Sequence, residues 1–329
     1  MRAVVITGAG GPEVLEVRDR PLPVPGRGEV RVRIRACAVN RADLLQRQGL
    51  YPAPAGAPPD IPGLEFAGEI EAVGDGDSEN ALTVGQPVFG LCAGGAYAEA
   101  VVVHSREVTR MPRGMSFTDA AAIPEAFVTA WDALIVQAAL RAGESVLVHA
   151  AGSGVGTAAV QIARAVGAHV LGTARTADKL QRALALGLDE GVPVGDGAGF
   201  AAAVLKATHK RGVDVILELV GGHYLVQDLA CVAPRARIAL VGLLAGARAE
   251  LDLRLLLNKR VRILGTVLRA RPLEEKIEAV QQLARHLVPL FERGALVPVV
   301  HQIFPLAQAA EAHVLLASGT TFGKVVLTV

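Results

Sequence analysis

The segment HAAGSGVG, residues 149–156, follows an apolar run, SVLV, and precedes an amphipathic one, TAAVQIARAVGA. Strand, glycine-rich turn and helix in that order let backbone N–H groups approach a pyrophosphate. Glycine removes the Cβ that would block the approach, and the helix N-terminus adds its positive end. The pattern, Gly152-x-Gly154-x-Gly156, is an imperfect form of the dinucleotide fingerprint. Ser153, Gly154, Val155 and Gly156 are therefore the expected phosphate contacts, with the Ser153 hydroxyl as an added donor.

The surrounding rhythm supports this reading. From about residue 124 the chain alternates SVLVHA, helix, HVLGTA, helix, DVILELV, helix, RIALVG, helix and RILGTVL. That βαβ alternation predicts an α/β fold with a doubly wound parallel sheet. Residues 1–123 are different, with short β-branched stretches (RAVVI, LEVRD, EVRVRIRACAV, FAGEIEAVG, YAEAVVV) separated by Pro and Gly clusters. Val30, Val32 and Ile34 alternate with Arg31, Arg33 and Arg35, as in an antiparallel strand with one wet face. Near the end, LEEKIEAVQQLARHLVPLFERG predicts one long amphipathic helix ending at Gly294. The expected division is residues 1–123 completed by 266–329, with 124–265 as the dinucleotide-binding domain.

Cofactor choice turns on the end of the second strand of this alternation. An acid there would bind ribose hydroxyls, but GTARTADKL offers Gly172, Thr173 and Ala174, followed by Arg175 and Lys179. Asp178 reads as a first-turn helix acid. Lys179 shares that turn, where the helix dipole disfavours a cation, and an external anion would explain it. A 2′-phosphate site, and hence NADPH, is the expectation.

Composition narrows the rest. A formal net charge of +1 gives no electrostatic reason to expect nucleic acid or an acidic membrane as partner. The three cysteines, Cys37, Cys92 and Cys231, are too scattered for a disulfide framework or a CxxC metal site. With no apolar run of membrane length and no signal-peptide layout, a soluble cytoplasmic protein is expected.

Taken together, VNRADLLQRQGLYP, IPGLEFAGEIEAVG, AAAIPEAFVTAW, the 146–174 segment and FGKVVL resemble the medium-chain dehydrogenase/reductases. Within them the chain is similar to the zinc-free, zeta-crystallin-like quinone oxidoreductases, notably a branch induced by a tumour suppressor in animals. The resemblance implies a β-rich GroES-like catalytic domain beside a Rossmann-type domain. It also implies NADPH:quinone oxidoreductase activity, or reduction of an activated alkene such as an enone or acrylyl thioester. A non-catalytic, crystallin-like NADPH-binding protein is the reading from a different class.

The zinc enzymes of that superfamily use a Cys, a His of a GHE motif and a further Cys or Asp. Here Asn40 and the run Gly63-Leu64-Glu65 stand in the first two places, so no zinc is expected. Hydride transfer to an electron-poor acceptor then rests on orientation and hydrogen bonding. By resemblance Asn40, Asp43 and Tyr51 form the catalytic set, with Asn40 also holding the cofactor. Read from its position alone, Asp43 could equally be a helix N-terminal residue. The resemblance adds Thr129, Thr173, Val220, Gly242, Leu243, Phe322, Gly323 and Lys324 to the cofactor contacts. Val194 takes the place of a Tyr that often meets the 2′-phosphate, which predicts softer discrimination for NADPH. Relatives pair edge strands of the nucleotide domain, and RVRILGTVL is apolar enough for a homodimer.

Overall fold

The structure is a computed structural model that describes residues 1–75, 82–195 and 199–329. The chain divides into two compact units, Met1–Val128 with Leu268–Val329, and Thr129–Val267. Among the described residues, no helix is long and apolar enough to cross a membrane.

The first unit is built on antiparallel strands. β1 (Arg2–Ile6) pairs with β2 (Leu15–Asp19) as a separate ribbon. The main sheet contains β3 (Glu29–Val39), β4 (Glu65–Val73), β5 (Pro87–Leu91), β6 (Ala100–His104) and β7 (Val108–Arg110). Val30, Val32 and Ile34 of β3 are buried in the core, whereas Arg31 pairs with Glu71, and Arg33 and Arg35 with Glu69. The period-2 alternation thus separates an apolar face from a charged one.

The second unit carries the parallel sheet: β8 (Ser145–Val148), β9 (His169–Ala174), β10 (Glu190–Pro193), β11 (Val213–Glu218), β12 (Val232–Leu240) and β13 (Arg262–Gly265). Its spatial order is β10-β9-β8-β11-β12-β13, every pairing parallel. The chain leaves β8 first toward one edge and later returns on its other side. The order therefore reverses there, and ligands of such sheets bind beyond the strands' carboxyl ends at that reversal.

The chain returns to the first unit with the expected long helix, which is interrupted. It runs Leu273–Gln282, widens over Leu283–Leu287, and resumes as Val288–Glu292. Val288 N donates to Leu283 O, five residues back. Pro289, at the start of the last segment, has no N–H to continue the ladder. β14 (Val300–Pro305) and β15 (Lys324–Thr328) then complete the main sheet, in the order β14-β15-β3-β4-β5-β7 with β6 also on β3.

Candidate functional site

The glycine loop lies between β8 and the helix Gly154–Val166. A Cβ on Gly156 would stand 2.2 Å from Ala150 O, so only glycine allows this close return. Ala150 itself has φ +47°, a left-handed conformation inside the turn. Ser153 caps the helix, its Oγ accepting from Gly156 N at 3.0 Å. The hydroxyl proton remains available to an anion. Ser153, Gly154 and Val155 are partly exposed, and the helix start leaves N–H groups without intrahelical acceptors.

Arg175 is exposed beyond β9 and Lys179 half-buried in the first turn of the helix Ala177–Leu184. Burial lowers the Lys179 pKa first, then the neighbouring Arg175 and Arg182 charges. Arg182 is a third cation here, and sequence reading passed over it as an ordinary helix residue. Val194 packs against the apolar cluster around Leu147 and Leu171. The rest of its motif, Asp196 and Gly197, lies outside the described residues. Val220, Gly242 and Leu243 follow the ends of β11 and β12. Gly242 is pressed against Leu219, whose carbonyl oxygen would lie 2.4 Å from a Cβ at that position. Thr129 Oγ1 is buried without a hydrogen-bond partner among the described residues. These features fit a dinucleotide.

Thr173, expected as a cofactor contact, lies inside the fold. It is 1% exposed, its carbonyl accepts from Ala151 N at 2.9 Å, and its hydroxyl lies 2.8 Å from His149 Nδ1. Its side chain braces the loop from below.

In the first unit, Asn40 precedes the helix Arg41–Arg47, and Asp43 closes the helix start by accepting from Asn40 N at 2.8 Å. Asp43 also accepts from Gly63 N at 3.0 Å and from the Tyr97 hydroxyl at 3.2 Å. It is 0% exposed, and burial pushes its pKa up to about 6 against the pull of the Asn40 and Gly63 amides. The helix-terminal reading of Asp43 holds. A carboxylate so enclosed fixes Asn40 and the Gly63 loop.

Lys324, expected as a cofactor contact, has its ammonium engaged inside its own unit. Its ammonium has three N–H donors and meets Val39 O at 3.0 Å, Asn40 Oδ1 at 2.6 Å and Glu65 Oε1 at 2.7 Å. Nothing is left for a cofactor. Asn40 Nδ2 donates to the same Glu65 oxygen at 2.9 Å, and Glu125 N donates to Glu65 Oε2 at 2.8 Å. Asn40 remains partly exposed. Phe322 is buried, and Gly323 (φ +87°) lies where a Cβ would meet Val299 O at 2.2 Å. The FGK run thus anchors the start of β15.

Tyr51 is partly exposed, and the Arg269 guanidinium lies 5.3 Å from its ring centroid. Arg269 is 5% exposed and bonds Tyr51 O, Ala93 O and Gln46 Oε1. Burial raises the Tyr51 pKa, so the phenol stays a neutral donor. Burial, then the Glu65 charge, pushes Glu125 up to about 8, so this carboxyl is largely protonated at neutral pH. Sequence reading missed both Arg269 and Glu125. Glu125 stood in a quoted motif, but only the fold brings it near Glu65.

Neutral hydrogen-bond donors beside a fixed cation, together with a cradle for a dinucleotide, define a nicotinamide-dependent oxidoreductase with the architecture of the alcohol dehydrogenases. Two family models match, the alcohol dehydrogenase GroES-like domain over residues 26–113 and the zinc-binding dehydrogenase over 154–285. Human quinone oxidoreductase is 37% identical over 331 residues, covering 99% of this chain and 97% of the relative. The Pseudomonas aeruginosa quinone oxidoreductase is 37% identical over 323 residues, covering 97% of this chain and 96% of the relative. A mycobacterial protein solved in complex with NADPH matches with a TM-score of 0.90 at 31% identity, over 100% of both chains. The enoyl reductase JamJ matches with a TM-score of 0.88 at 26% identity, over 100% of this chain and 99% of that one. The chain belongs to the quinone oxidoreductase family of the medium-chain dehydrogenase/reductases.

One of the two matching families is named for zinc, and the residues here do not fit that metal. Asn40 and the fully buried Leu64 offer no thiolate or imidazole, and the Lys324 ammonium already sits among the nearby oxygens.

Proposed function

We propose that the chain is an NADPH-dependent, zinc-independent quinone oxidoreductase. The observation that supports this reading is the Lys324–Asn40–Glu65 lock, a fixed ammonium beside Asn40, the residue that stands in the first ligand place of the zinc enzymes. An unactivated alcohol would lack the polarisation its oxidation requires, whereas a quinone needs only orientation and donors for its developing oxyanion. When bound, NADPH supplies the hydride. Tyr51 donates a hydrogen bond to an acceptor carbonyl, and the adjacent Arg269 charge favours negative charge there. Asn40, pinned by Glu65 and Lys324, offers its partly exposed amide to the cofactor without rotating. Ser153, Gly154 and Val155 hold the pyrophosphate, and Arg175 and Lys179 take the 2′-phosphate. The NADPH-bound mycobacterial relative supports that cofactor choice.

The structural likeness to an enoyl reductase favours activated alkenes as the second substrate class. The test is NADPH oxidation against quinones, enones and acrylyl thioesters side by side. Quinone turnover well above the others supports the reading, and turnover confined to enones or thioesters replaces it. The three free buried cysteines suit a reducing cytoplasm. Edge strand β13, with Ile263 and Leu264 only partly buried, suits pairing with a second copy.

A further inference from the structure

Beneath the glycine loop, three ionisable side chains of the nucleotide-binding unit meet in a sealed space. His149 follows β8, Glu218 ends β11 and Asp228 lies in the helix Tyr224–Cys231; each is 0% exposed. His149 Nε2 is 2.8 Å from Asp228 Oδ1 and 3.6 Å from Glu218 Oε2. Its Nδ1 is 2.8 Å from Thr173 Oγ1. The Phe200 and Tyr224 rings pack edge-on to the imidazole, with centroids at 4.7 and 5.0 Å.

Stability alone gives no reason for such a group. Burying ionisable side chains carries a large desolvation cost, and a well-packed apolar set is often as stable or more so. Several bonds lead from the cluster to backbone at the carboxyl ends of the strands. Thr173 carries one, since its carbonyl holds Ala151 N of the glycine loop. Glu218 Oε1 accepts from Val220 N and from Gly221 N, the latter at 2.8 Å. Glu218 O accepts from Val241 N at 2.9 Å and Gly242 N at 3.2 Å. An Asp228 carboxylate that accepts from His149 Nε2–H leaves Nδ1 to accept from the Thr173 hydroxyl, which fixes the tautomer.

We propose that His149, Asp228 and Glu218 are positioning residues for the dinucleotide site. Their network sets the glycine loop, the β9 end that leads to Arg175, and the 218–221 turn at fixed heights relative to one another. None of the three touches the cofactor. Asymmetric pulls on three loops are what a pre-organised groove requires, because misplacement of a supporting element weakens every contact made above it. The inference rests on the dinucleotide reading of the same site.

The cleanest test removes one hydroxyl. Thr173→Val keeps the branched shape and deletes the donor to His149, while Thr173→Ser restores it. Direct fluorescence titration of NADPH and NADH should show both weakened about threefold to tenfold in T173V, equivalent to roughly 0.7–1.4 kcal/mol. KM for NADPH should rise in parallel, with kcat staying within about twofold of wild type, and T173S should return to near wild type. His149→Phe should weaken both dinucleotides further; if it does not fold, the Thr173 pair decides alone. T173V binding both dinucleotides as wild type overturns the inference, as does a loss confined to NADPH or a failure of T173S to rescue. Wild-type protein that binds NADPH but reduces no acceptor overturns the proposed activity and leaves this inference standing. Wild-type protein that binds neither dinucleotide overturns both.

Discussion

At the scale of single residues, the proposed cofactor choice rests on two side chains and the proposed metal-free site on one. Charge-assisted bonds from Arg175 and Lys179 to a 2′-phosphate would contribute about 1.5–3 kcal/mol each if buried, and exposure brings them to the low end or below. Replacing both with Ala should weaken NADPH about tenfold to a hundredfold and leave NADH nearly unchanged, as read by titration of both cofactors. Lys324 offers a sharper test. Lys324→Met leaves the 0% exposed Glu65 carboxylate without its ammonium. Breaking a buried pair from one side costs about 3–5 kcal/mol. Calorimetry should show a melting temperature lower by roughly 6–15 °C.

At the scale of elements, the strand–turn–helix at 145–166 is the most legible part of the chain. Its glycines, apolar run and amphipathic stretch all agree, so fold class and phosphate loop follow from local pattern. Gly156→Ala should displace the turn, because its Cβ would lie 2.2 Å from Ala150 O. Dinucleotide affinity should fall by about tenfold or more, with a stability loss of about 1–3 kcal/mol, measured by titration and denaturant melts. β3 was equally readable, since an alternating strand writes its two faces into the sequence. β5 and β7 were not, being short segments defined by their partners. Candidate-site residues divide in the same way. Ser153 and Gly156 could be found from spacing, whereas Arg269, Glu125 and the true part played by Lys324 depend on contacts distant in sequence. Asp43 shows the limit: its position allowed a helix-terminal part, but its bonds to Gly63 and Tyr97 depend on residues distant in sequence.

At the scale of the whole molecule, buried titratable groups set how stability follows pH. Burial raises Asp43 to about 6, Asp228 to about 7, and Glu125 and Glu218 to about 8. A raised acid holds its proton longer in the folded state. Its contribution is complete below the ordinary carboxylate range and is lost as pH rises through the folded value. Buried His149 and His313 are lowered to about 4 and about 3, and their contribution is already complete above pH 6.5, the ordinary value. The acids therefore dominate from pH 6.5 upward. The melting temperature should decline between pH 6.5 and 8.5, and Glu125→Gln should make that decline shallower; calorimetry across the range checks both.

The lock at Lys324 also has a consequence in time. Asn40 and Glu65 leave the ribosome early, whereas their shared cation is 284 residues behind Asn40. Until β15 is synthesised and inserted beside β3, a nascent chain holds the Glu65 carboxylate without its counter-charge. In the order of translation this cation arrives well after its partners, and a product cut short before β15 would hold Asn40 and Glu65 without the ammonium that joins them.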